Sequence, residues 1–242
     1  MVAVDVQNLV KVFGSFKALD GLSFQVEEGE VYGLIGPNGA GKTTTLRILA
    51  TLLLPTSGVV KVFGYDVVSE ASKVRRIIAY LAEEAGAYRN LTGREYLSII
   101  ARIYFGSKEE AYKAVEWAVK ASGLGDKIRD KVKTYSKGMK RRLQVARVFM
   151  VRPRLAILDE PTAGLDVIHA NYIRRLIRDY ARKYGTTVVL SSHNMLEVEY
   201  ICDRVALIDR GRIVAEGTPD ELKSVWSASN LEEVFVKVVG SG

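Results

Sequence analysis

Two short runs hold the residues best suited to chemistry. Gly36-Pro37-Asn38-Gly39-Ala40-Gly41-Lys42-Thr43 fits the pattern G-x-x-x-x-G-K-[ST]. Glycines let successive backbone N–H groups converge on phosphate oxygens, and the N-terminus of a following helix adds its dipole. Lys42 would reach the β- and γ-phosphates, and the Thr43 hydroxyl is a hard oxygen ligand for Mg²⁺. The implied ligand is a nucleoside triphosphate. The second run, Leu155-Ala156-Ile157-Leu158-Asp159-Glu160, is an apolar strand delivering two carboxylates to its C-terminal edge, where open α/β sheets bind ligands. Asp159 suits the magnesium ion, and Glu160, pointing differently, suits a general base that polarises water against the γ-phosphate. Alone, this acidic pair would be a capped strand end; beside a phosphate loop it reads as a hydrolytic site.

Positioning these runs requires a particular order of elements. Val31 to Ile35 is a buried-strand run that leads into the glycine-rich turn, and Thr43 to Leu54 has helical content closed by Pro55. Ahead of it, Val2–Phe13 and Lys17–Val26 alternate as an antiparallel ribbon joined by Gly14-Ser15. A second ribbon is expected at Gly58–Phe63 and a strand around Ile77–Leu81. Asn90 to Arg152 reads as mainly helical, with an amphipathic stretch from Glu109 to Ala121 stopped near Gly123 and Gly125. Beyond the Leu155–Leu158 strand, Asp166–Tyr184 has helical spacing with Gly185 at its end, Thr187–Leu190 is a buried strand, and Arg204–Asp209 with Arg212–Glu216 forms a hairpin. Strands alternating with helices imply a parallel, three-layer α/β core.

Composition sets the outer bounds. The 242 residues, 48% hydrophobic and 26% charged, are those of a globular chain able to bury a sizeable core. The single Cys202 excludes a disulfide framework and reads as a small buried hydrophobe. The longest apolar stretch, Ile48 to Leu54, is far short of the roughly 20 residues that span a bilayer, so the chain is expected to be soluble and intracellular. Net charge is +7, and Lys127 to Arg154 alone carries eleven basic residues against Asp130. Such a cluster fits nucleic acid, a phosphate ligand or an anionic membrane surface, and charge by itself does not choose among them.

With these runs in view, the chain resembles, over essentially its whole length, the ATP-binding subunits of ABC transporters. Tyr135-Ser136-Lys137-Gly138-Met139 stands where that family carries its signature, usually Leu-Ser-Gly-Gly-Gln. Ala163-Gly164-Leu165-Asp166 looks like the D-loop, Ser192-His193 like the switch histidine, and Phe13 like the aromatic that stacks on adenine. Tyr80-Leu81-Ala82-Glu83-Glu84 offers Glu83 where a Q-loop glutamine is usual. The resemblance implies a P-loop NTPase fold: a three-layer core with a parallel sheet, an N-terminal antiparallel β ribbon subdomain and an inserted helical subdomain. It divides the chain into a nucleotide-binding core at 1–84 and 154–216, a helical and signature part at about 85–153, and a C-terminal extension at 217–242.

ATP and Mg²⁺ are the implied cofactors. ATP is expected on Phe13, on Gly36 through Thr43 with Thr44, and on Glu83, Ser136, Gly138 and Asp166. The metal is expected on Thr43, Asp159 and Glu83, with Glu160 and His193 catalytic and His169 merely at the surface. The family works as a head-to-tail dimer in which the phosphate loop of one subunit and the signature of the other hold each ATP. Ser136, read as the N-cap of a helix running to Met150, then faces outward towards a partner's γ-phosphate.

These implications lead to a magnesium-dependent ATPase on the cytoplasmic face of the cell membrane. It would pair with a like ATPase subunit and dock on separate transmembrane permease subunits through a groove at about Glu83 to Arg102. The signature variant and Asn230-Leu231-Glu232-Glu233-Val234-Phe235 look most like drug- and antibiotic-export ATPases. The alternative is a nucleic-acid-acting ATPase, disfavoured because there is no long heptad insertion, no tandem cassette and no basic surface interleaved with aromatics; no nucleic-acid partner is expected. A small-molecule kinase is less suited still, because Glu160 fits water activation, and a non-catalytic regulatory module is disfavoured by the full set Lys42, Thr43, Asp159, Glu160 and His193.

Overall fold

Alternating apolar residues fold the start of the chain into a hairpin. β1 (Val2–Phe13) and β2 (Phe16–Glu27) pair antiparallel, turning Val4, Val6, Leu22, Phe24 and Val26 inward. The computed structural model describes residues 1–240, so 241 and 242, the end of the expected C-terminal extension, lie outside the described residues. β3 (Val31–Ile35) is buried throughout, as a strand covered on both faces must be, and it feeds the phosphate loop and α1 (Lys42–Leu49).

That helix stops short of the expected Leu54. Thr51 is left-handed at φ 61, and the Thr51 and Leu52 amides turn back to the Ile48 and Arg47 carbonyls, which closes the helix as a Schellman motif. Leu52 and Leu54 are left exposed. β4 (Ser57–Val62) then pairs with β1, and β5 (Tyr65–Asp66) with β4, completing a four-stranded antiparallel sheet in the order β2-β1-β4-β5.

α2 (Ala71–Ile77) leads to β6 (Ile78–Leu81), after which the chain leaves the core for three helices. α3 (Gly93–Tyr104) starts at a capping box between Thr92 and Glu95, and α4 (Lys108–Ser122) runs from Ser107 to a left-handed Gly123. α5 (Lys137–Met150) follows two short 3₁₀ turns and packs on both through Leu97, Ala118 and Leu143.

The chain re-enters the core as β7 (Leu155–Asp159), α6 (Val167–Tyr184), β8 (Thr187–Ser192), α7 (Met195–Ile201), β9 (Arg204–Asp209) and β10 (Arg212–Gly217), then ends in α8 (Pro219–Val225) and α9 (Leu231–Gly240). The main sheet has the order β10-β9-β3-β8-β7-β6 and is parallel except for the β10 edge. β8 thus lies between the strand of the phosphate loop and the strand of the acidic pair. The C-terminal ends of three neighbouring strands therefore place Gly36, Asp159-Glu160 and Ser191 to His193 at one edge. Among the described residues, no helix is long and apolar enough to cross a membrane.

Candidate active site

The phosphate loop takes its shape from backbone conformations only glycine supplies cheaply. Gly41 caps α1 at φ 111, and a Cβ there would lie 2.6 Å from Leu19 and 2.9 Å from the Ala18 carbonyl. A Cβ on Gly36 would lie 2.1 Å from the Ile208 carbonyl oxygen. With no acidic residue in the first turn of α1, the positive end of the helix faces the loop uncompensated.

Lys42 is buried, and its Nζ donates to the Gly36 carbonyl at 2.7 Å and to the Pro37 carbonyl at 3.1 Å. The same ammonium lies 3.6 Å from Glu160 Oε1, and the other carboxylate oxygen of Glu160 is 2.9 Å from His193 Nδ1. Glu160, buried and at φ 47, is thus a carboxylate fixed between the Lys42 ammonium and the His193 imidazole on a sparsely populated backbone. His193 is half exposed and opens towards solvent. Beside them, Asp159 Oδ1 accepts from the Thr43 hydroxyl at 3.1 Å and from the Ser191 hydroxyl at 2.7 Å, while the Tyr80 hydroxyl reaches Oδ2 at 3.4 Å.

A cleft of about 390 Å³ opens over this floor, lined by Phe13, Phe16, Ala18, Asn38, Gly39, Gly41 to Thr44, Glu83 and Glu160. Phe13 and Phe16 oppose each other across the β1–β2 hairpin, so both rings stand on one face at its mouth. Glu83 reaches the rim. Among the described residues no cluster of three metal-binding side chains encloses a cation. The donor set fits Mg²⁺ all the same, because this ion takes one or two protein oxygens and fills its octahedron with phosphate oxygens and water; Thr43 and Asp159 supply that pair.

Ser136, Gly138 and Asp166 are not among the residues lining the cleft. Ser136 is exposed and caps α5, accepting the Met139 amide at 3.2 Å. Asp166 caps α6 by accepting from the His169 amide at 2.9 Å, a bond that, with the nearby imidazole, lowers its carboxyl pKa. His169 is not a plain surface residue: its ring lies against the signature turn, where a Cβ on Gly138 would be 1.8 Å from Cδ2. Lys137 likewise reaches back over the D-loop, its Nζ 2.4 Å from where a Cβ on Gly164 would be.

Four site residues escape sequence reasoning. Ser191 and Tyr80 are ordinary strand residues until pairing sets their strands beside β7. Phe16 has a signal in hindsight, standing opposite Phe13 across a two-residue turn. Arg141 is hidden among its basic neighbours. Several of those neighbours are committed internally: Arg142 donates to the Ser122 and Gly123 carbonyls and stacks on Tyr172 at 4.1 Å, Arg147 donates to the Tyr80 carbonyl, and Arg154 pairs with Glu28. Part of the basic segment is thus internal bracing, while Lys127, Arg129, Lys131, Lys133 and Lys137 stay exposed. Cys202 is buried, and burial pushes its thiol pKa well up.

The family model for ABC transporters matches residues 19–163. The chain belongs to the ABC transporter family. It is 45% identical to the daunorubicin/doxorubicin resistance ATP-binding protein DrrA of Streptomyces peucetius, over 92% of this chain and 67% of that one. It is 40% identical to the bacitracin transport ATP-binding protein BcrA of Bacillus licheniformis, over 89% of this chain and 70% of the relative. Among solved structures, an ATP-binding subunit of an ABC transporter superposes with a TM-score of 0.87 at 29% identity, covering 98% of this chain and 99% of its own. A dimeric ATP-binding cassette in a post-hydrolysis state, bound to ADP and Pi, superposes with a TM-score of 0.80 at 25% identity over 89% of this chain and 98% of its own. As an ABC ATPase, the chain binds and hydrolyses ATP, and the P-loop fold expected from its motifs is the fold observed.

Proposed function

We propose that this ABC ATPase drives export of a drug-like or antibiotic substrate through separate membrane subunits, working at the cytoplasmic face of the membrane as a head-to-tail pair of cassettes. Relatives named for daunorubicin/doxorubicin resistance and for bacitracin transport support the export assignment, and a dimeric cassette among the structural neighbours supports the pairing. One observation carries the catalytic assignment: the Glu160 carboxylate is held by His193 on one oxygen and faces Lys42 with the other, at the floor of the cleft.

The residues divide the work as follows. Phe13 and Phe16 take the base, the loop from Gly36 to Thr44 takes the phosphates, and Lys42 swings its charge from the loop carbonyls to the β/γ-phosphates. Thr43 and Asp159, with Glu83 at the rim, would hold Mg²⁺, which when bound neutralises phosphate charge. Glu160 takes the proton of the attacking water, and His193 orients both that carboxylate and the γ-phosphate. Ser136, Gly138 and Asp166 lie outside their own cleft, and they act on the ATP of the partner. The groove beside α3, about 520 Å³ between Leu91, Arg94, Ile99, Arg102 and Arg129, is the seat for a short helix of the membrane subunit.

The test is E160Q, which keeps size and hydrogen bonding but removes basicity. Hydrolysis is expected to fall by ~10²–10⁴-fold while ATP still binds, and the variant should accumulate as an ATP-bound dimer in light scattering, but not with ADP. Adding Ser136→Arg should abolish that dimer. Wild-type turnover in E160Q overturns the general-base role. An ATP-dependent dimer that survives Ser136→Arg overturns the role of the signature.

A further inference from the structure

Arg141 sits on α5 with only 7% of its surface exposed, and its guanidinium spends all five N–H donors on backbone carbonyls. Nε donates to Pro161 at 2.9 Å. Nη1 donates to Ala82 at 2.9 Å and Glu83 at 3.0 Å. Nη2 donates to Asp159 at 2.8 Å and Glu160 at 2.6 Å. Burial pulls its pKa down, while the charges of Asp159, Glu83 and Glu160 hold it up. A charge in such a place is costly unless every donor is matched, and an apolar side chain like the neighbouring Leu143 or Val145 would fill the volume more cheaply. What an apolar residue would not do is tie α5 at once to the Q-loop and to the backbone on either side of Glu160, segments that are also linked by the β6–β7 pairing and by bonds from Gln144 to the Ala85 carbonyl and from Arg147 to the Tyr80 carbonyl.

Those segments are the ones the reaction uses. Ala82 and Glu83 form the Q-loop position, Asp159 to Pro161 carry the metal ligand and the general base, and α5 begins at Ser136. Arg141 lies about 7.5 Å along the helix axis from that cap, so one helix carries both the signature cap and the guanidinium that binds the Asp159 and Glu160 carbonyls.

We propose that Arg141 is a positioning residue that ties the signature turn serving one ATP to the catalytic carboxylate and Q-loop serving the other. The inference rests on the head-to-tail pairing above, in which Glu160 and Glu83 act on the ATP of their own loop and Ser136 acts on that of the partner. Engagement of Ser136 by the partner's γ-phosphate then sets the position of Glu160 through the guanidinium, and the two sites of the dimer communicate by way of one side chain in each subunit. The planar fork is essential, because a lysine ammonium offers three donors from a point and does not span carbonyls on two sides.

The experiment measures hydrolysis against ATP concentration for wild type, R141Q and R141K, each assembled with its membrane subunits, together with bound ATP per subunit and thermal melting. Wild type is expected to show a Hill coefficient above one. R141Q should bind one ATP per subunit with unchanged affinity, lose kcat by roughly 10- to 100-fold, and show a Hill coefficient of about one. R141K should recover part of kcat but not the cooperativity, and it carries the test alone if R141Q does not fold. A cooperative wild type with equally cooperative variants overturns the inference and leaves the shared site standing. A kcat loss that only tracks lost ATP binding, with cooperativity kept, also overturns it. A wild type with neither cooperativity nor an ATP-dependent dimer removes the pairing itself.

Discussion

Ser191→Ala probes how the acidic pair is held. The Ser191 side chain is fully buried; its hydroxyl donates to Asp159 Oδ1 at 2.7 Å and accepts the Glu160 amide at 3.0 Å. Removing it orphans a buried N–H, at about 1–3 kcal/mol, and takes one of two hydroxyl donors from Oδ1, at about 1 kcal/mol. Thr43 keeps its bond to the same oxygen, so the combined loss is about 2–4 kcal/mol. For a chain of this length that lowers Tm by roughly 5–15 °C. Freed from Ser191, the left-handed Glu160 backbone relaxes and its carboxylate shifts from His193, which should cut kcat at least about tenfold. Calorimetry and a coupled ATPase assay measure both. The control is Thr187→Val at the other end of β8, where the lost bond is the one from the Gly29 amide, 3.0 Å long; stability should fall while kcat holds. A Ser191→Ala chain with wild-type Tm, or with kcat no lower than in Thr187→Val, refutes the argument.

Lys42→Ala should abolish ATP hydrolysis without unfolding the chain, because among the described residues Lys42 bonds to loop carbonyls and faces Glu160; circular dichroism and the ATPase assay check this. Gly138→Ala should drive a methyl into the His169 ring and weaken the ATP-dependent dimer of E160Q, and adding His169→Ala should restore it in light scattering. Crosslinks from Leu91 to Arg102 should reach the membrane subunit in the assembled transporter; crosslinks elsewhere but none here would count against the docking groove. Glu233 has its pKa lowered to about 2 by the Ser229 amide, Lys237 and the Ser229 hydroxyl. Its folded pKa lies below the unfolded one, so its contribution is complete above pH 4.5 and is lost as pH falls towards 2. Trp226 fluorescence, next to Lys237, should report this acid transition, and Glu233→Gln should flatten it.

The phosphate loop, the acidic pair and the strand–loop–helix order are legible in the sequence because each is local: a few residues must adopt particular backbone angles or end a strand at a particular edge. Gly41 is marked by its place in the glycine pattern, and the strand from Val31 to Ile35 by an unbroken run of residues suited to burial. The same holds for the caps of α5 and α6, since Ser136 and Asp166 bond amides three residues on. Strand order is not local. That β8 lies between β3 and β7 is decided by which buried faces pack together, and only that choice makes Ser191 a partner of Asp159 and puts His193 on Glu160. The end of α1 escaped too, because Thr51 closes it in a conformation usually left to glycine. Arg141 is the extreme case. Its five acceptors are backbone carbonyls of residues 18 to 59 positions away, and carbonyls have no sequence signature. Among eleven basic residues the sequence marks none as different; tertiary structure separates this one by taking it out of water, where a cation persists only if every N–H finds an oxygen.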